Sequence, residues 1–196
     1  MGTDWLAERR TEAAAERILD AAEDLFAEHD AAAVGMNEIA RAAGCSRATL
    51  YRYFENRDVL YTAYVHRETH RLFGEIGERL TGVTDPHERV IEGALAALQR
   101  VRETPSLASW FASTARPIGG EMGERSDVIR VLTEAFLASM GEQGHLEQGN
   151  VELRARWLVR VLISLLQFPG RDEADERIML DTFVVPLVAV APQAAQ

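Results

Sequence analysis

Apolar residues recur three and four positions apart along most of this chain. In its first long segment the spacing joins Ile18, Ala22, Leu25 and Phe26, which fall on one face of a helix. A strand would need apolar and polar residues in alternation, and no segment shows that pattern strongly enough to compete. The sequence therefore predicts an all-helical fold, with about nine helices separated by proline, glycine and capping residues.

Two short helices are predicted directly after the first long one. The second helix begins at Met36 and stops at Gly44, and Ser46 caps a third that runs from Arg47 to Tyr53. Helices of about two turns are unstable alone in water, so both must pack against the long first helix. Leu50 turns one face of the third helix toward that core, and the opposite face stays free.

The free face of the third helix carries groups that suit nucleic acid. Its guanidinium, hydroxyl, methyl and phenol groups can bond phosphates and base edges or touch a thymine methyl. Four arginines and Glu55 give the segment Ile39 to Arg57 a local charge of +3, whereas the whole chain carries −10. A basic face on an acidic protein indicates the side that meets DNA.

The segment from residue 35 to residue 57 resembles the helix-turn-helix of the TetR family of transcriptional repressors. The family pattern is IA-x-x-A-G-hydrophobic-S-x-x-T-L-Y-x-[HY]-F, followed by a basic residue. Three positions depart from it: Gly35 stands where the family usually has serine or threonine, Cys45 replaces valine and Arg57 replaces lysine. The matching residues are Ile39, Ala40, Ala43, Gly44, Ser46, Thr49, Leu50, Tyr51, Tyr53, Phe54 and the basic Arg57.

The resemblance implies a set of DNA contacts. Asn37 and Arg47 would face bases, Tyr53 and Arg57 would hold phosphates, and the remaining members would lie close to bases, sugars or phosphates. The next helix, which Asn56 can cap, would add free N–H groups suited to a phosphate oxygen. The complete set is Asn37, Arg47, Ala48, Thr49, Tyr51, Arg52, Tyr53 and Arg57.

The resemblance also implies two domains and a mode of action. A three-helix DNA-binding domain would span residues 1–57, a helical ligand-binding and dimerisation domain residues 58–190, and a tail residues 191–196. Such a protein binds a near-palindromic operator as a homodimer and acts as a repressor that a small, mostly apolar effector releases. The alternative is a DNA-binding protein of the same fold that answers to a protein partner or to no ligand.

Two further groups of residues are expected in the C-terminal domain. The segment Trp157 to Phe168 is apolar nearly all round its helix, which indicates a partner helix. By resemblance, the last two helices form a four-helix dimer interface from Trp157, Leu158, Val161, Leu162, Leu165, Phe183, Val184 and Leu187. By the same resemblance, a ligand pocket is lined by Phe73, Leu98, Trp110, Phe111, Met122, Phe136 and Met140.

The sequence argues against several other functions. The single cysteine, Cys45, excludes an internal disulfide and a zinc site of several thiolates, and we interpret it as filling the turn rather than as a redox switch. His66 and His70 lie four apart but lack the glutamate that a zinc protease needs after its first histidine, so they indicate a solvated helix face. No nucleophile elbow or phosphate-binding glycine loop indicates an enzyme, and no catalytic residue, metal or cofactor is assigned.

A cytoplasmic protein without membrane contact is expected. The N-terminus lacks a basic segment followed by an apolar one, as a secretion signal would require. The most apolar run, Trp157 to Phe168, spans only about 12 residues and contains Arg160, so it is too short and too polar to cross a bilayer.

Overall fold

The computed structural model describes residues 5–112, 118–141 and 150–188. Over these residues it contains α-helices and no β-strand, which confirms the all-helical prediction. The helices are α1 (Trp5–Glu28), α2 (Met36–Ala42), α3 (Arg47–Tyr53), α4 (Arg57–Arg79), α5 (Pro86–Glu103), α6 (Pro105–Ala112), α7 (Gly119–Arg125), α8 (Asp127–Gly141), α9 (Val151–Gln167), α10 (Glu173–Phe183) and α11 (Val185–Val188).

The described residues form eleven helices where about nine were expected. One addition is α7, which lies in a glycine-rich stretch. A Cβ at Gly120 would lie 2.9 Å from Gln167, and one at Gly123 would lie 3.1 Å from Ile163. The glycines of α7 therefore allow it to approach α9 closely. The other addition is α11, a helix of one turn that Val184 separates from α10.

The chain divides into two compact units. The first unit combines residues 1–65 with residues 104–118, and the second combines residues 66–103 with residues 119–196. The sequence instead predicted a single boundary after residue 57. The first unit is larger because it includes the start of α4 and because α6 packs against α1. The predicted tail at 191–196 lies outside the described residues.

The apolar faces of α1, α2 and α3 form the core of the first unit. Phe26 on α1, Ile39 on α2 and Leu50 on α3 are fully buried. Ile18 and Ala22 are buried on the same face of α1 as Phe26, as their spacing predicted. The two short helices thus have the packing partner that their length requires.

Four aromatic side chains from α1, α4 and α6 extend this core. The ring of Phe26 lies edge-on to the rings of Tyr61, Tyr64 and Trp110, with centroid distances of 5.2, 5.0 and 5.4 Å. Trp110 also stacks on Tyr64 at 5.6 Å. Each such pair contributes about 0.5–1.5 kcal/mol beyond the area that it buries. Trp110 therefore fastens α6 to the first unit.

The second unit has its own apolar core, formed by α5, α8, α9, α10 and α11. Leu98, Leu137, Leu158, Leu180 and Val188 lie in it and are buried. None of the helices in the described part of the chain is long and apolar enough to cross a membrane.

Candidate nucleic-acid interface

The turn between α2 and α3 depends on one glycine. Gly44 adopts a left-handed backbone conformation with φ +66°, which other residues reach only with strain. Its N–H donates to the carbonyl of Arg41 at 3.1 Å, and the N–H of Cys45 donates to that of Ala40 at 3.0 Å. These two bonds form a Schellman motif, which ends α2 and turns the chain toward α3.

Side-chain caps then fix where α3 and α4 begin. The hydroxyl of Ser46 accepts from the backbone N–H of Thr49 at 3.0 Å and lies 2.9 Å from the Thr49 hydroxyl. Asn56 accepts from the N–H of Val59 at 2.9 Å. Both predicted caps are therefore confirmed, and α3 spans the residues that the sequence predicted.

The start of α2 is capped from the other direction. Gly35 has no side chain to offer, but its N–H donates to the carboxylate of Glu38 at 2.9 Å. This is one half of a capping box, in which a glutamate three residues into the helix satisfies the N–H of the capping residue. This bond partly compensates for the serine or threonine side chain that the family usually has at this position and that Gly35 lacks.

The helix-turn-helix leaves most of the predicted DNA-binding residues accessible. Leu50 is the one residue of α3 that is fully buried among those described. Thr49, Tyr53 and Arg57 are half-buried, and the exposed members of the predicted set are Asn37, Arg47, Ala48, Tyr51 and Arg52.

Two arginines of α3 lie beside aromatic rings. The guanidinium of Arg47 is 6.0 Å from the ring centroid of Tyr51, at the outer limit of a cation–π contact. The guanidinium of Arg52 lies 5.2 Å from the ring of Tyr53, and its Nη2 is 3.5 Å from the phenol oxygen. These contacts keep the four side chains together on the exposed surface of α3.

Arg57 makes contacts within the protein that the sequence did not indicate. Its Nη2 donates to the carbonyls of Ala32 at 2.6 Å and Ala31 at 3.2 Å, in the loop before α2. The guanidinium also lies 4.7 Å from the ring centroid of Tyr61, one turn further along α4. Tyr61 is a residue that sequence reasoning missed, although its spacing of four from Arg57 could have indicated a contact.

The residues predicted to line a ligand pocket are divided between the units. Trp110 and Phe111 belong to the first unit, and the other five belong to the second. Leu98 and Met140 are buried in the second core, and Phe136 packs against it. The remaining members, Phe73, Phe111 and Met122, are half-buried.

The predicted dimer-interface residues separate into two groups. Leu158, Leu165 and Val184 are buried in the core of their own unit, so they are not available to a second chain. A helix that is apolar all round has an inner as well as an outer face; Leu158 and Leu165 lie on the inner face of α9, and Val184 is buried at the end of α10. Val161 and Leu162 also pack against the core, and the exposed members are Trp157, Phe183 and Leu187.

The potential metal-binding side chains of the described residues are dispersed. No three of their histidine, cysteine, aspartate and glutamate side chains are grouped closely enough to hold a metal ion. His66 is half-buried and His70 is exposed on α4. Cys45 is a half-buried free thiol beside the turn.

Comparison with known sequences points to transcriptional regulators, the class of protein that the helix-turn-helix motif indicated. The family described as bacterial regulatory proteins, tetR family, matches residues 18–64, which include α2, α3 and the start of α4. The chain is 59% identical over 195 residues to the uncharacterised HTH-type transcriptional regulator Rv1255c of Mycobacterium tuberculosis. That match covers 100% of this chain and 95% of the relative.

Solved structures share the fold. The TetR family repressor AlkX from Dietzia sp., implicated in biodegradation of n-alkanes, superposes with a TM-score of 0.65 at 27% identity, over 88% of this chain and 93% of that one. RolR in complex with resorcinol superposes with a TM-score of 0.72 at 20% identity, over 93% and 91%. Because the family match falls on the helix-turn-helix and a relative matches along nearly its whole length, this chain belongs to the TetR family of HTH-type transcriptional regulators.

Proposed function

We propose that this regulator is a repressor that binds a near-palindromic operator as a homodimer and leaves it when a small, mostly apolar effector binds. The exposed face of α3 carries the proposal. Arg47, Tyr51 and Arg52 project from a helix that Leu50 anchors and Ser46 caps. A helix of this kind fits the major groove, which is about 12 Å wide.

The exposed residues have complementary roles in this proposal. The guanidinium of Arg47 reads a guanine edge, and Asn37 at the start of α2 reads a neighbouring base. Ala48, Thr49 and Tyr51 lie against bases or sugars. Tyr53 and Arg52 contact phosphates, which position the helix without reading the sequence.

An exposed apolar surface on α9, α10 and α11 supports dimerisation. Trp157, Phe183 and Leu187 are 44%, 68% and 57% exposed. Ile178 on α10 is a further large apolar side chain at 64% exposure, although it was not among the predicted residues. Burial of these side chains by a second copy would remove them from water, which is the main driving force of stable association. A two-fold dimer would place two α3 helices about 34–36 Å apart, in successive major grooves.

The proposed effector acts by preferring one of two states. A ligand that binds the second unit can release DNA only if it binds the DNA-free arrangement more tightly than the DNA-bound one. The repressor AlkX is implicated in biodegradation of n-alkanes, which supports an apolar ligand class for this chain as well. Helix α4 is the proposed lever, because it begins at the helix-turn-helix and continues into the second unit.

Footprinting on the DNA between the gene for this protein and its neighbour tests operator binding. We expect one protected, near-palindromic site whose affinity falls by about 1–3 kcal/mol in Arg47→Ala and in Tyr51→Ala. Arg125→Ala is the matched control, because Arg125 is exposed on α7 in the second unit. Absence of any protected site, or equal binding by all three variants, would refute specific recognition by α3.

A thermal-shift screen with lipophilic compounds tests control by an effector. A compound that raises the melting temperature should also weaken operator binding at the same concentration, since both effects follow from one binding equilibrium. If no compound stabilises the protein and operator binding does not respond, the alternative is favoured, in which a protein partner or no ligand controls the same fold.

A further inference from the structure

The loop between α1 and α2 satisfies three of its N–H groups from within, whereas three of its carbonyls accept from another element. The N–H of Ala32 donates to the carboxylate of Asp30 at 2.8 Å, and the N–H groups of Ala33 and Val34 donate to the Asp30 carbonyl at 2.8 and 3.3 Å. Ala31 and Val34 are themselves buried. The carbonyls of this loop therefore need donors from another element, because buried polar groups without partners are costly.

Two side chains of α4 supply those donors. Nη2 of Arg57 donates to the carbonyls of Ala32 and Ala31, at 2.6 and 3.2 Å. The Tyr61 hydroxyl lies 2.5 Å from the Ala31 carbonyl and 3.0 Å from that of Val34. A phenol has a single proton, so it donates to Ala31 or shares the proton between the two. We call Arg57, Tyr61 and these three carbonyls the loop clasp.

Packing holds the two side chains of the loop clasp in place. The Arg57 guanidinium lies 4.7 Å from the Tyr61 ring centroid, which is a favourable cation–π distance. The same ring meets Phe26 edge-on at 5.2 Å and lies 5.1 Å from Trp110. Burial raises the pKa of the Tyr61 phenol, so the proton that the clasp needs is retained at neutral pH. Contacts with Arg57, Phe26 and Trp110 thus hold the Tyr61 ring in place independently of its hydrogen bonds to the loop.

We propose that Arg57 and Tyr61 are positioning residues for DNA binding, and that Arg57 acts through the loop clasp rather than through a DNA phosphate. The clasped Val34 carbonyl lies two residues before Met36, where α2 begins. The clasp therefore fixes the start of α2, including Asn37, relative to α4. Both protons of the Arg57 Nη2 are used within the protein, so a phosphate could be reached only by the Nε or Nη1 protons. This inference depends on the operator binding proposed above.

The salt dependence of operator binding distinguishes a positioning role from a phosphate contact. Log affinity falls linearly with log salt concentration, and each phosphate that a protein neutralises adds about 0.9 to the magnitude of this negative slope, which we call the slope below. If Arg57 neutralises a phosphate, Arg57→Met lowers that slope by about one per half-site, and Arg57→Lys restores it. If Arg57 acts through the loop clasp, both variants bind the operator more weakly and keep the wild-type slope.

Tyr61→Phe provides the second, independent test. The phenylalanine keeps the ring and its packing but lacks the proton, so we expect operator affinity to fall by about tenfold, as for one net hydrogen bond, with the slope unchanged. Tyr64→Phe is the matched control, because Tyr64 is a buried tyrosine of the same aromatic cluster that is not part of the loop clasp. Binding is measured on operator and on unrelated DNA, well below the melting temperature of each variant.

The outcomes distinguish a failure of the loop clasp from a failure of the proposed operator binding. Misplacement of α2 should weaken operator binding more than binding to unrelated DNA, whereas a general loss of stability would lower both in proportion to the unfolded fraction. Wild-type operator affinity in Tyr61→Phe, or a smaller slope in Arg57→Met, would overturn the loop clasp and leave operator binding intact. If the wild-type protein itself binds no specific site, operator binding is what fails.

Discussion

The guanidinium of Arg102 donates two hydrogen bonds to the carboxylate of Glu176, one to each oxygen, at 2.8 and 2.7 Å. The same guanidinium donates to the carbonyl of Leu165, in the last turn of α9, at 2.9 Å. The N–H of Gly170 donates to the Glu176 carboxylate at 2.9 Å. Because Glu176 is buried, these bonds join α5, α9 and α10 around one desolvated carboxylate.

Glu176→Gln should therefore destabilise the protein. The amide keeps the shape of the side chain but cannot accept on both of its terminal atoms, so we expect a loss on the order of 2 kcal/mol, typical of hydrogen bonds to a charged group. Urea unfolding at neutral pH measures this loss in the free energy of unfolding. Arg125→Gln is the control, since Arg125 pairs with Glu121 on the surface, where such a pair contributes about 0–1 kcal/mol. Equal stabilities of the two variants would contradict the prediction.

The stabilisation by Glu176 should depend on pH in a defined direction. The hydrogen bonds from Arg102, helped by the Gly170 N–H, hold the pKa of this carboxyl below its usual value although burial acts the other way. A group whose pKa is lower in the folded state stabilises fully above its unfolded pKa of about 4.3, and this stabilisation is lost as pH falls below that value and through the lower folded pKa. The gap in stability between wild type and Glu176→Gln should thus narrow below about pH 4.5. A gap that widens on acidification would contradict this assignment.

Gly44→Ala should destabilise the helix-turn-helix through backbone strain alone. No atom lies within 4 Å of a Cβ built at Gly44, so the cost comes from its φ of +66° and should be about 1–2 kcal/mol. Gly74→Ala is a matched control, because its Cβ also meets open space but its backbone is that of α4. That substitution should stabilise by about 0.5–1 kcal/mol. Thermal unfolding measures the stability of both variants. Stability changes of the same sign would contradict the explanation by backbone strain.

Gly35→Ser should strengthen operator binding. The new Cβ would lie 3.6 Å from a Glu38 carboxylate oxygen, an ordinary contact, so the side chain fits without rearrangement. Its hydroxyl can cap α2 and reach a phosphate, which should raise affinity by about three- to tenfold, as for one net hydrogen bond. Gly35→Ala adds the carbon without the hydroxyl and should bring no gain. Fluorescence anisotropy on the operator measures both, and equal affinities would exclude a contact from this position.

Phe183→Asp should convert the proposed dimer into monomers. Phe183 is 68% exposed on α10, and a carboxylate at the centre of an apolar interface would be buried without a partner. Size-exclusion chromatography with light scattering reports the mass directly. Val131→Asp is the control, because Val131 is 49% exposed on α8, outside the proposed surface, and its variant should keep the wild-type mass. A dimer that survives Phe183→Asp would place the interface elsewhere.

Local signals explain the parts of the fold that the sequence predicted well. Helix α3 begins and ends where predicted, because Ser46 caps its first turn and Gly44 fixes the preceding turn through backbone conformation. Both signals act within a few residues, so no knowledge of tertiary packing is needed to read them. The caps at Ser46 and Asn56 were found for the same reason.

Contacts between distant segments determine the features of the fold and of the site that the sequence did not predict. The apolar character of Trp110 predicts burial but not its packing on Phe26, which lies on α1. In the same way, the composition of α9 does not tell the inward side of Leu158 from the outward side of Trp157. The acceptors of Arg57 are backbone carbonyls 25 and 26 residues away, which leave no trace in the pattern of side chains.

The division of the first unit has a consequence for how the protein is made. This unit needs residues 104–118 to complete it, yet the ribosome synthesises α4 and α5 before them. At about 5–20 residues per second, the DNA-binding helices are synthesised about 3–11 s before Trp110, which completes the aromatic cluster. We expect the nascent first unit to stay loosely packed during this interval. It should acquire its DNA-binding surface only when α6 has left the ribosome.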